Sequence, residues 1–130
     1  MSRLLYLIRR FLGLLPPARW EDGVRVTDPY VLARYAALYA QTVAWVRVAA
    51  PQRPITAPEM VVTVRLYDRF PKESAHLIGR VLAPNEIAGD TGGTLCLNKA
   101  YRDVEWLVVH EMKHAITGVS DHPKDLFPNG

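Results

Sequence analysis

The sequence predicts an α+β fold, in which a small, mostly antiparallel sheet packs on two helices. Apolar residues recur with helical spacing over residues 27–48 and 103–117, whereas residues 60–70 alternate between apolar and polar positions as a half-buried strand does. Two shorter strands are expected at 76–82 and 94–97, each followed or preceded by turn residues. A chain of 130 residues has room for one such domain.

Composition and charge narrow the class of protein. Hydrophobic residues make up 49% of the chain and charged residues 22%, which is a globular balance rather than a disordered one. The net charge of +3 comes from residues 1–20, which hold four arginines and no acid, while residues 21–130 hold 12 bases and 13 acids. The body therefore lacks the basic surface of a nucleic-acid-binding domain, and no nucleic-acid partner is expected.

Cysteine content and hydropathy bear on location. The single cysteine, Cys96, excludes an intramolecular disulfide and is compatible with a reducing compartment. No run approaches the roughly 18 apolar residues of a membrane-spanning helix, and Arg9 and Arg10 interrupt the stretch that would serve as a signal peptide. We therefore expect a cytoplasmic protein. Cys96 lies in an apolar strand, so we expect a buried small hydrophobe rather than a nucleophile.

Residues 1–20 are expected to form a basic amphipathic helix that ends at Pro16-Pro17. Its apolar residues lie on one side, and Arg3, Arg9 and Arg10 lie on the other. Two interpretations stay open. The apolar face covers the domain of residues 21–130, or residues 1–15 lie on a membrane surface and the protein is peripheral to that membrane.

The two helices of residues 21–130 carry start and stop signals. Thr27 or Asp28 caps the first helix, with Pro29 in its first turn, and its broad apolar face indicates a buried scaffold helix. We expect Asp103 to cap the second helix and Gly118 to end it and turn the chain back.

The second helix contains the pattern His110-Glu111-Met112-Lys113-His114, an H-E-x-x-H motif. Residues four apart on a helix lie about 40° apart in projection, so both imidazoles can reach one metal ion beside Glu111. Two imidazoles and a third protein ligand hold Zn²⁺ with one position open for water, and Glu111 then accepts the proton of that water. Without a metal, His110 and His114 would be surface histidines on an amphipathic helix.

The third ligand is sought downstream of His114. No glutamate follows Glu111, and the candidates that remain are Asp121, His122 and Asp125. His122 is preferred because neutral imidazole is the commonest metal ligand, with Asp121 then orienting a histidine. Asp121 as the ligand itself stays open, as does an exposed loop position for His122.

Residues beyond the motif carry a family resemblance. His110-Glu111-x-x-His114-Ala115, Gly118, Asp121-His122-Pro123 and Phe127 together resemble the small zincin metallopeptidases, most closely SprT-like and phage or bacterial mini-zincin proteins. The resemblance implies a minimal zincin fold, Zn²⁺ as cofactor, His110, His114 and His122 as metal ligands, Glu111 as catalytic base and a peptide or protein substrate. It also implies that residues 93–98 are an edge strand along which substrate lies.

The sequence departs from this family in three ways. The spacing from His122 to Phe127 is one residue longer than in the family pattern, with Leu126 in the expected place. The chain ends sixteen residues after His114, so no C-terminal subdomain is expected to wall the cleft. No Tyr or Arg follows Arg102, which leaves Tyr101 or Arg102 as substitutes for oxyanion stabilisation.

A zinc peptidase is therefore the preferred prediction, and two rivals remain. The first is a non-catalytic interaction domain whose zinc site is structural or vestigial, closed by Asp121 or Asp125 as a fourth ligand. The second, a nucleic-acid-associated protease, follows from the resemblance alone and finds no support in the charge count. His76, expected within a strand, is interpreted as structural.

Overall fold

The computed structural model describes residues 3–5, 7, 18–60, 63–71, 76–83 and 93–129, and it confirms the α+β class. Residues 3–5 and 7 are helical and exposed, and the rest of the expected amphipathic helix lies outside the described residues. No helix in the described ranges is long and apolar enough to cross a membrane. Two 3-10 turns, Trp20–Asp22 and Lys99–Tyr101, accompany the main elements, which are β1 (Val24–Arg25), α1 (Pro29–Ala49), β2 (Thr63–Tyr67), β3 (Gly79–Leu82), β4 (Thr94–Asn98) and α2 (Glu105–Thr117).

The four strands form one mixed sheet in the order β1-β2-β4-β3. The pairs β1–β2 and β3–β4 are antiparallel, whereas β2 and β4 run parallel, with Val64 beside Leu95. Two of the three strand pairs are thus antiparallel, which confirms the prediction of a mostly antiparallel sheet. The prediction that residues 93–98 form an edge strand is wrong, because β4 pairs on both sides and β3 is the outer strand.

Strand limits differ from the sequence-based expectation at their ends. Within the described residues, the strand predicted at 60–70 covers Thr63–Tyr67, and the one predicted at 76–82 begins at Gly79. His76 therefore lies in a turn before the strand and is exposed, which contradicts its expected strand position.

The start of α1 is as predicted, and the start of α2 is not. The Asp28 carboxylate accepts a hydrogen bond from the Tyr30 N–H at 2.8 Å, so Asp28 is the N-cap and Pro29 follows it. The N-cap of α2 is Val104 rather than Asp103. The Asp103 carboxylate is instead paired with the guanidinium of Arg34 on α1 at 2.8 Å, a contact between residues distant in sequence.

Two apolar clusters cover the two faces of the sheet. The smaller one contains Cys96, which is fully buried as predicted, together with Tyr67, Phe70 and Leu82. The larger one lies between the sheet and both helices, and its buried members are Tyr35, Tyr39, Val43, Val46, Ala50, Val64, Leu95, Leu97, Val108, Met112, Ile116, Leu126 and Phe127. This larger cluster fixes α2 against the sheet, and α2 carries the candidate site.

Candidate metal centre

Helix α2 presents its motif histidines beside its buried stripe rather than within it. Val108, Met112 and Ile116 are buried, whereas His110 and His114 are only partly buried. Because the stripe is anchored in the core, the two imidazoles have a fixed direction on the adjoining face of the helix. Their ring centroids are 5.1 Å apart.

Gly118 ends α2 and returns the chain toward the two histidines, as the sequence predicts. It has φ of 70°, the left-handed conformation that favours glycine, and its N–H bonds to the carbonyl of His114 at 2.8 Å. The Thr56 N–H and hydroxyl both donate to the carbonyl of Ile116, at 2.8 and 3.0 Å. These bonds satisfy carbonyls that the last helical turn leaves open, and they fix the direction in which the chain leaves.

The returning segment brings His122 to His110 and His114. The Nε2 atoms of His110 and His122 are 3.1 Å apart, and one ring nitrogen from each of the three histidines lies within 4.8 Å of the others. Two nitrogens bound to one tetrahedral zinc at about 2.0–2.1 Å lie about 3.3 Å apart, so the observed spacing suits a shared ion. The three histidines could therefore hold a metal ion, and Asp121, which is exposed, is not a member of this group.

Phe127 is the surface on which all three imidazoles pack. Its ring centroid lies 4.7 Å from those of His110 and His114 and 5.1 Å from that of His122. Phe127 is itself only 4% exposed. A rigid, buried ring behind the three ligands limits their rotation and orders the site before a metal arrives.

Two contacts tie the segment that contains His122 to the rest of the fold. Lys113 donates from Nζ to the carbonyl of Leu126 at 2.7 Å, and the same ammonium lies 3.9 Å from the ring centroid of Trp45. Arg53 binds the Asp125 carboxylate with two hydrogen bonds of 2.6 and 3.0 Å. The expectation that Asp125 could close the metal site is therefore wrong, because this carboxylate is engaged by Arg53.

A backbone carbonyl, rather than Asp121, orients His114. Nδ1 of His114 lies 2.6 Å from the carbonyl oxygen of Val119. A carbonyl only accepts hydrogen bonds, so Nδ1 carries the proton and Nε2 keeps the lone pair that a metal needs. No side-chain hydrogen bond from Asp121 to a histidine is found in the described part of the chain.

Burial favours the neutral form of the His110 and His114 imidazoles. Desolvation, together with the neighbouring rings of His114 and His122, lowers the pKa of His110 to about 4. Desolvation also lowers the pKa of His114, against the opposing effect of its bond to Val119. Neutral imidazole is the form that binds metal ions, so the lowered pKa values of His110 and His114 favour metal binding by these two residues.

Glu111, which follows His110 in the motif, lies on the side of α2 that faces β3. It is only 5% exposed, and burial raises the pKa of its carboxyl to about 7. Its side chain packs on Gly79 of β3, where a Cβ atom would lie 3.0 Å from Cγ and 3.2 Å from Oε1 of Glu111. The missing side chain at Gly79 is thus what lets the carboxyl sit between α2 and the sheet.

These groups line a cleft of about 930 Å³ between α2, β3 and the turns at 56–57 and 118–122. The Asn98 N–H donates to the carbonyl of Ile78 at 3.1 Å, so Asn98 and Ile78 are a hydrogen-bonded pair of the antiparallel ladder. Hydrogen-bonded and non-hydrogen-bonded pairs alternate in such a ladder, and the next facing residues, Gly79 and Leu97, are therefore a non-hydrogen-bonded pair. Alternation along the strand then directs the backbone N–H and C=O groups of Gly79 and Val81 away from β4. They point toward the outer edge of the sheet, on the side of the cleft.

The structure separates Tyr101 and Arg102 from this cleft, so the expectation that either stabilises an oxyanion is not supported. Neither residue lines it, and the Arg102 carbonyl accepts a hydrogen bond from Tyr35 at 2.6 Å beside the start of α2. Sequence reasoning missed Gly79 and Trp106, both of which line the cleft. Their only signal in the sequence is a glycine in a short strand and an apolar residue on the polar face of a helix.

Comparisons of the chain with protein-family models, curated protein sequences and solved structures gave no match. The interpretation of the site therefore depends on its own geometry.

Proposed function

We propose that this protein is a zinc-dependent hydrolase that cleaves peptide bonds. The observation that carries the proposal is the convergence of three imidazoles and one buried carboxyl on a single cleft. His110, His114 and His122 would hold the ion. Among the described residues no fourth protein ligand joins the three histidines, and three nitrogen ligands suit a catalytic zinc, because a structural zinc is closed by four.

The ion, when bound, would supply Lewis-acid activation of a water molecule and of the substrate carbonyl. The role of Glu111 is that of general base and then general acid. A carboxyl with a pKa of about 7 can accept a proton from water and return it to the leaving amine near neutral pH. Its packing on Gly79 holds it between the ligand histidines and the outer strand.

The substrate is proposed to be an extended peptide that adds to β3. Gly79 and Val81 direct backbone donors and acceptors toward the cleft, which is the arrangement that strand addition requires. This assigns to β3 the role that the family resemblance had implied for residues 93–98.

Two measurements test the proposal. Metal content by mass spectrometry should give about one zinc per chain in wild type and in Asp121→Ala, and much less in His122→Ala. With a quenched-fluorescence peptide library, Glu111→Gln should abolish hydrolysis and keep the zinc, whereas Glu105→Gln, the same change at an exposed position of α2, should leave both unchanged. A protein that binds zinc with no turnover of any peptide would instead indicate the interaction domain, and zinc lost in Glu111→Gln would contradict the role of Glu111.

A further inference from the structure

Trp106 is a large apolar side chain left in contact with solvent at the cleft. It is 65% exposed and lines the cleft together with His110 and Glu111. It lies four residues before His110, so the two side chains stand on the same face of α2 one turn apart. Trp106 belongs to neither apolar cluster of the described residues, and its position at the cleft suits contact with a bound molecule.

The β3 side of the cleft is apolar as well. Ile78 and Val81 line the cleft and are only partly buried, so each offers apolar surface to it, whereas Leu77 packs against the cluster on the other face of the sheet. Arg80 is the one arginine among the described lining residues, and its guanidinium lies 4.7 Å from the ring of Trp20, a member of the cluster on the other face of the sheet. Apolar walls on both sides, with a cation directed away, favour an uncharged and bulky occupant.

We propose that Trp106 and the apolar wall formed by Ile78 and Val81 form a subsite for one aromatic or branched aliphatic side chain of the substrate, next to the bond that is cleaved. This inference depends on the proposed function, since it places the side chain on a peptide added to β3. Successive side chains of an added strand point to opposite faces, so every second residue of the peptide is directed to the α2 side. There it lies between Trp106 and the wall, one helical turn from His110.

The substrate side of the test is a series of blocked hexapeptides that differ at one position beside the scissile bond, with Phe, Leu, Ala, Lys or Glu. Wild type is expected to prefer Phe and Leu. Trp106→Ala should lower kcat/KM for those two by about tenfold, mainly through KM, with little effect on Ala, Lys and Glu. Trp106→Phe should keep most of the preference, and zinc content should not change.

Tyr30→Ala is the matched control, because Tyr30 is 87% exposed on α1 and does not line the cleft. The inference is overturned if Trp106→Ala keeps the wild-type preference, or if wild type prefers Lys or Glu. A second arm measures binding of the Phe and Ala peptides to zinc-loaded Glu111→Gln by calorimetry, with and without Trp106→Ala. If no peptide is cleaved by wild type, the proposed hydrolysis fails, and this arm still decides whether Trp106 selects the apolar side chain.

Discussion

Replacing Glu111 with glutamine should stabilise the metal-free protein at alkaline pH, although it removes the proposed proton acceptor. Burial raises the pKa of Glu111 from 4.5 to about 7, which means that ionising this carboxyl is more costly in the folded chain than in the unfolded one. One pKa unit corresponds to about 1.4 kcal/mol, so the ionised carboxylate costs the fold roughly 3 kcal/mol.

The sign of the pH dependence follows from proton binding. Between pH 4.5 and about 7 the folded chain holds the Glu111 proton and the unfolded chain does not, so the free energy of unfolding falls as pH rises through this window. Glutamine does not ionise, so the free energy of unfolding of Glu111→Gln does not fall in this way as pH rises. The advantage of Glu111→Gln over wild type should therefore grow by about 2–3 kcal/mol between pH 5 and pH 8. All other side chains are the same in the two proteins, so their contributions largely cancel in the difference.

The assay is guanidinium unfolding of chelator-treated protein, followed by circular dichroism at pH 5, 6, 7 and 8. Glu105→Gln is the control, because Glu105 is exposed on the same helix and should show no such pH dependence. A stability difference between Glu111→Gln and wild type that is the same at pH 5 and pH 8 would refute the reasoning. It would mean that the carboxyl ionises in the folded protein as easily as in water.

Three further predictions concern the supports of the site. Gly79→Ala places a Cβ atom 3.0 Å from Cγ of Glu111, so peptide hydrolysis should fall about tenfold or more while zinc content stays at the wild-type level; unchanged turnover would contradict this contact. Arg53→Ala frees Asp125 and should weaken zinc affinity about tenfold in a competition titration, and Arg53→Lys should recover part of it; equal affinities in wild type and Arg53→Ala would exclude a positioning role. Gly118→Ala forces a residue with a Cβ atom into φ of 70° and should lower the free energy of unfolding by about 1 kcal/mol, with no change expected if the chain can leave α2 by another path.

Local sequence signals were enough to predict both helices, apart from the N-cap of α2, and to place His110 and His114 together. Asp28 and Pro29 start α1 through contacts within one turn, and Gly118 ends α2 through its own backbone conformation. The motif spacing likewise fixes His110 and His114 on one face without reference to other elements. Each of these features depends on residues fewer than five positions apart, which is the range over which sequence patterns are informative.

The order of strands could not be predicted in this way. Residues 94–98 were expected at an edge, but they pair with β2 on one side and β3 on the other, across connections of 26 and 11 residues that the periodicity of the strand does not describe. The error at Asp103 has the same origin. Its side chain suits an N-cap, yet Arg34, 69 positions away, binds its carboxylate. Whether the Asp103 side chain caps its own helix or binds a distant residue depends on how the elements pack, and a sequence pattern does not show that packing.

His122, the proposed third ligand, shows how local and long-range information combine. His122 was chosen because of its side-chain chemistry and because a glycine turns the chain back, but those signals alone left Asp121 open. What distinguishes the two neighbours is Phe127, whose ring packs on His122 as well as on both motif histidines. Phe127 is held by the core and by the Lys113 bond to Leu126, so the segment is fixed in the register that brings the imidazole to the other two and leaves Asp121 in solvent. The proposed metal site therefore depends on Phe127, an apolar residue five positions after His122, as well as on the three histidines themselves.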